Sequence, residues 1–141
     1  MLGNAIRITP LCLLAGLAIT AGCPAHGSRP DQNVQLIEVT AKKYEFNPSP
    51  IRVKRGAKIQ LKITALDRAH GFKISLYPDG AKAAGDPGLV FTSQEDCFKL
   101  EKGTATTVEF VAQTPGTYSF KCCNFCGMGH GGMKGKLIVE P

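Results

Sequence analysis

The chain lacks tryptophan. It also has no Ser-His-Asp set, no paired carboxylates and no glycine loop that would cradle phosphate. Hydrolytic and phosphoryl-transfer chemistry have no residues to rest on, so an enzyme is the least supported reading. No internal repeat is present, and the apolar run Leu11 to Ile19 falls short of the roughly 20 residues a bilayer span needs. A basic helix and aromatic-basic interleaving are both missing, which argues against nucleic acid as a partner. Acids are outnumbered, 11 against 17 bases, for a formal charge of +6. The bases are scattered, with Lys42-Lys43 and Arg52-Lys54-Arg55 the densest groups. That pattern reads as solvated surface, with any bias in partner choice favouring acidic faces.

What is present begins with an export signal. Arg7 is the only charge before the apolar run, which ends in Thr20-Ala21-Gly22-Cys23. That ending resembles the lipobox of bacterial lipoproteins, with Thr20 in place of the usual leucine. The resemblance implies a signal over residues 1–22 and lipid on Cys23, the first mature residue, with an ordinary cleavage site nearby as the alternative. Several acyl chains on Cys23 would anchor the protein stably to a membrane, in the periplasm or at the cell surface. Loss of residues 1–22 removes Arg7 and no acid, leaving +5. Residues 23–33, rich in Pro, Gly, Ser and Asp, read as a flexible tether, and residues 34–141 as one domain large enough to bury a core.

Cys12 leaves with the signal, so with Cys23 lipidated the cysteines left are Cys97, Cys122, Cys123 and Cys126. In an exported protein these could form disulfides. The stretch Lys121 to Lys136, KCCNFCGMGHGGMKGK, argues for something more. Cys122, Cys126, His130 and Met133 follow the pattern C-x3-C-x3-H-x2-M, a set of soft and borderline donors that suits copper and that disulfides would not require. The same spacing would fit one face of a helix. Gly127, Gly129, Gly131, Gly132 and Gly135 oppose that, each costing a helix about 1 kcal/mol relative to alanine. The segment is therefore expected to be a loop that turns its donors toward one point.

Elsewhere the pattern is β. Ile59, Leu61, Ile63 and Ala65 alternate with Gln60, Lys62 and Thr64, and Phe72, Ile74 and Leu76 alternate after the turn Asp67-Arg68-Ala69-His70-Gly71. His70 falls where one strand ends and the next begins. Tyr118, Phe120 and Cys122 share one strand face, so Cys123 turns the other way. Residues 77–87 read as a long loop with a helical turn around Ala81 to Ala84. Short strands at regular intervals, divided by turn residues, predict an all-β two-sheet sandwich or barrel.

From Tyr44 to Glu140 the chain resembles the cupredoxins, and within them the dinuclear copper domains of cytochrome oxidase subunit II and nitrous oxide reductase. The resemblance rests on the strand-end His70 and the C-x3-C-x3-H-x2-M loop. It implies a Greek-key β-sandwich and two coppers per chain, bridged by Cys122 and Cys126. His70 and His130 would bind one copper each, Met133 would be a weak ligand, and Asn124 would offer its backbone carbonyl. The oxidase subunit has glutamate at the position of Asn124, membrane helices, and a surface tryptophan where cytochrome c delivers electrons. Those departures imply a free-standing electron carrier, its partner a c-type cytochrome or a terminal reductase or oxidase.

Cys97 and Cys123 have no place in that pattern. They could pair as a disulfide, remain buried thiols or supply an extra ligand; the disulfide is preferred, because Cys123 points away from the metal. Three other functions stay open. A mononuclear blue or red copper carrier would use one copper at His70, Cys126, His130 and Met133 and would not need Cys122. A copper-delivery protein would use the same soft donors to pass Cu(I) onward. A structural zinc site would be colourless.

Overall fold

The computed structural model describes residues 33–141 apart from residue 94. The export signal, Cys23 and the tether up to residue 32 lie outside the described residues. Ten strands follow in order: β1 Val34–Lys42, β2 Glu45–Asn47, β3 Ile51–Lys54, β4 Lys58–Ala65, β5 His70–Ile74, β6 Leu89–Phe91, β7 Phe98–Leu100, β8 Ala105–Ala112, β9 Gly116–Lys121 and β10 Lys134–Glu140. They form two five-stranded sheets, ordered β2-β1-β4-β8-β6 and β3-β10-β9-β5-β7. This is the two-sheet sandwich that the alternation predicts. The β1–β4 and β3–β10 pairs are parallel, and the remaining ladders are antiparallel.

Side-chain chemistry places each strand. Ile59, Leu61, Ile63 and Ala65 of β4 are fully buried, while their neighbours are part-exposed or exposed. A slip of one residue would turn that whole set to water, so the register is fixed by burial. Phe46, Phe72 and Phe120 meet across the two sheets with ring centroids 5.3 to 5.8 Å apart. Such pairs add about 0.5–1.5 kcal/mol each beyond the area they bury. The Phe120 ring occupies the space that a Cβ at Gly135 would need, so the glycine at the start of β10 lets that cluster close. Beneath β9, the buried Tyr118 donates its hydroxyl to the Thr114 carbonyl at 2.7 Å.

Two local expectations are revised. Residues 77–87 contain no helical turn: Ala81 N–H donates to Pro78 O and Ala84 N–H to Lys82 O as separate bends. Gly80 and Gly85, both at positive φ, interrupt any helical continuation. In the glycine-rich loop, conversely, residues His130–Gly132 make a short 3-10 turn, closed by Met133 N–H donating to His130 O.

Asp79 pins the long loop to the second sheet. Its carboxylate accepts from Ser119 Oγ at 2.8 Å and from Lys136 Nζ at 2.5 Å. The hydrogen bond from Lys136, then that from Ser119, hold the Asp79 carboxyl below its ordinary value of 3.8 despite partial burial. A folded value below the unfolded one means the contact stabilises the protein above about pH 4, and that contribution fades as pH falls through the folded value. Asp79→Asn should therefore lower stability at pH 7 by less than about 1 kcal/mol, since the side chain is 35% exposed. In denaturant titrations the gap from the parent should narrow below pH 4; a gap independent of pH would contradict this assignment.

Candidate metal centre

Strand β9 carries the chain into the glycine loop and β10 carries it away. Lys121 faces Lys134 as the outermost pair of that ladder, and Cys122 N–H then donates to Met133 O at 2.9 Å. Both ends of the loop are thus pinned to one rung. Cys122 continues the inward alternation of Tyr118 and Phe120 and is buried, as are Cys126 and Met133. Across the sheet, β5 opens with His70, the one buried polar or charged residue among those described.

All the residues expected at the site converge. One ligating atom from each of His70, Cys122 and Cys126 lies within 4.8 Å of the others. The Cys122 and Cys126 sulfurs are 3.6 Å apart and unbonded. Cys126 Sγ lies 3.7 Å from His130 Nδ1 and 3.8 Å from Met133 Sδ. The Asn124 carbonyl is 3.1 Å from Cys122 Sγ. Among the side chains of this cluster only His130 is not buried.

Asp67, which the sequence pattern did not single out, orients the first of these groups. Its Oδ1 lies 2.7 Å from His70 Nε2. Partial desolvation pushes the Asp67 carboxyl up, but hydrogen bonds from His70 and from the Lys43 and Arg68 amides outweigh it and hold the value at about 2. The carboxylate is ionised and can only accept, so Nε2 carries the proton. In neutral imidazole that leaves Nδ1 with a lone pair, and Nδ1 is the buried side-chain atom without a hydrogen-bond partner among the described residues. Leaving such a group unmatched costs about 1–3 kcal/mol, which a metal ion would offset. The signal for Asp67 was an acid three residues before a candidate strand-end histidine. Arg68, beside it, donates to the Cys126 carbonyl at 2.8 Å and holds the loop's midpoint.

The other two cysteines among the described residues, Cys97 and Cys123, form a disulfide. It ties the chain just before β7 to the loop. Gly71 makes this approach feasible: a Cβ there would stand 2.7 Å from Asn124 N and Cys123 Sγ and 2.8 Å from Cys97 Sγ. Its own N–H points at Cys122 Sγ, 3.4 Å away. Burial pushes the Cys126 thiol up to about 11, helped by its hydrogen bond to Cys122 and by the charge of that neighbour. A metal ligated by Cys126 as thiolate must therefore displace a proton at neutral pH. Two thiols, a thioether and two imidazoles, one of them with an unmatched buried nitrogen, fit copper well, and would fit a hard oxygen-seeking cation poorly.

A family model described as a cupredoxin-like domain matches residues 11–139. Cytochrome c oxidase subunit 2 of Thermus thermophilus is 30% identical over 108 residues, which cover 77% of this chain and 67% of that protein. Among solved structures, a chain of a heme-copper terminal oxidase dimer superposes with a TM-score of 0.54 at 25% identity, over 75% of this chain and 65% of that one. Auracyanin A, a "blue" copper protein from Chloroflexus aurantiacus, superposes with a TM-score of 0.55 at 17% identity, over 76% of this chain and 99% of that one. The last likeness speaks to fold alone.

The crowding at Gly71 generates a test that needs no metal. Gly71→Ala must push the disulfide or the Asn124 backbone aside, and should cost about 1–3 kcal/mol in a denaturant titration of the metal-free protein. A loss below a few tenths would mean that the loop does not press on β5 as described.

Proposed function

Because the chain belongs to the cupredoxin-like family, we propose that it is an electron-transfer protein whose two thiolates, Cys122 and Cys126, bridge a pair of coppers. His70 and His130 would supply one nitrogen each, Met133 a weak thioether, and Asn124 its carbonyl. The observation that carries this reading is the 3.6 Å separation of two buried, unbonded sulfurs with imidazoles beside them. Bound by these residues, copper would supply a one-electron couple, with Cys122 and Cys126 as thiolates taking up part of the charge.

The protein's own part is to keep the ligands still. The β9–β10 rung fixes Cys122 against Met133, Asp67 fixes the His70 ring, and Arg68 fixes the Cys126 carbonyl. Burial keeps water from the sulfurs. His130, less covered than the others, is the group through which electrons would enter and leave.

Cys122 weighs against a mononuclear carrier, which would leave that residue a bystander. Here its sulfur sits between the Gly71 amide, the Asn124 carbonyl and Cys126. The braced loop likewise weighs against copper delivery, which needs ligands that open readily. The relatives' names support a terminal oxidase as partner; a terminal reductase or a c-type cytochrome rests on the sequence resemblance. Export to the periplasm or cell surface with a lipid on Cys23 completes the proposal.

Cys122→Ser should abolish the absorption of a thiolate-bridged pair when the protein is loaded with Cu(II). A surviving strong copper-thiolate band of single-site type would favour the mononuclear reading. Asp67→Asn should weaken copper binding about 10- to 100-fold in competition with a chelator, while the metal-free fold persists. An unchanged affinity would remove Asp67 from the site.

A further inference from the structure

Lys73 on β5, Lys121 at the end of β9 and Lys134 at the start of β10 stand in direct cross-strand register, Lys73 opposite Lys121 and Lys121 opposite Lys134. Residues opposed in this way put their side chains on one face, about 4.5–5.5 Å apart at Cβ, where like charges repel. The next residues inward, Ile74 and Phe120, are buried in the core, so the lysines are committed to the outer face. All three are exposed.

Among the described residues the row is balanced only at one end, and weakly. Two residues further along β10, Lys136 is matched by Asp79 and Ser119. Lys121 and Lys134, by contrast, have no ion-pair partner among the described residues. Lys73 reaches only Asp96, at 3.6 Å, a carboxylate fully exposed to water. The row lines a depression of about 450 Å³ together with His130 and Cys123. The Phe125 ring lies 5.9 Å from the His130 imidazole. Phe125 is 75% exposed and Met128, in the same loop, 97%.

We propose that the lysine row and the Phe125–Met128 pair form one docking face, built around His130, for a partner protein that presents an acidic rim beside an apolar centre. The lysines select acidic charge and would speed encounter at low salt. The two apolar side chains gain only from a surface large enough to exclude water from them, which a small anion cannot do. This inference rests on the electron-carrier reading for its purpose but not for its test.

The probe is an acidic peptide with four glutamates flanking two leucines, titrated into the isotopically labelled full-length chain without metal and followed by amide chemical shifts. Shifts should concentrate at Lys73, Lys121, Phe125, His130 and Lys134 and weaken as salt is raised. The triple variant Lys73→Gln, Lys121→Gln, Lys134→Gln should lose about tenfold or more in affinity. A control variant with the same charge loss at the opposite end of the sandwich, Lys54→Gln, Arg55→Gln, Lys58→Gln, should bind as the parent does. Equal losses in both variants, or shifts spread over all basic residues, would overturn the proposal in favour of net charge alone. A peptide with serines for leucines that binds equally well would also overturn it, in favour of an anion site. In the copper-loaded, reduced protein, one-electron oxidation by hexacyanoferrate(III) should slow in the row variant and not in the control. If copper fails to load, the carrier reading fails while the peptide map still decides the docking face.

Discussion

The structure depends on holding two buried thiols 3.6 Å apart without letting them join. The β9–β10 rung does this, with Cys122 bonded through its backbone to Met133, so that loop entry and exit share one fixed point. If that rung opened, Cys122 would lose its inward direction and Met133 its buried place, and the site would dissolve with them. The two-sheet core beneath supplies the rigidity, because Phe120, two residues before Cys122, is wedged among Phe46 and Phe72.

Local costs gather around that fixed point. His70 buries a nitrogen with no partner, the Cys126 thiol is pushed up by desolvation, and Gly71 gives up a side chain so that the disulfide and Asn124 can press close. Each is unfavourable for the fold by itself. A soft metal ion would offset the first two, since binding would match the imidazole nitrogen and turn the thiols into thiolates. The disulfide, Arg68 and Asp67 make the site stiff from three sides, which suits a ligand set that must barely move between oxidation states.

Much of this could be read from the residues. Strict alternation in β4 fixed which face was buried, and the alternation of Tyr118, Phe120 and Cys122 correctly turned Cys122 inward and Cys123 away. The glycines correctly ruled out a continuous helix through the loop, although a short 3-10 turn at His130–Gly132 escaped notice because one turn needs no amphipathic pattern. Residues 77–87 misled in the other direction, where alanines suggested a helical turn that Gly80 and Gly85 interrupt. Arg68 and the cross-strand lysine row were not legible, because their roles depend on which strands lie side by side, and sequence order places Lys73 far from Lys121 and Lys134. Asp67 left only a local signal, an acid three residues before His70.

The most direct test of the central claim is electron paramagnetic resonance of the Cu(II)-loaded protein, with copper quantified on the same sample. The account predicts two coppers per chain sharing one unpaired electron, with hyperfine structure from two equivalent nuclei. One copper per chain with the signal of a single nucleus would contradict it.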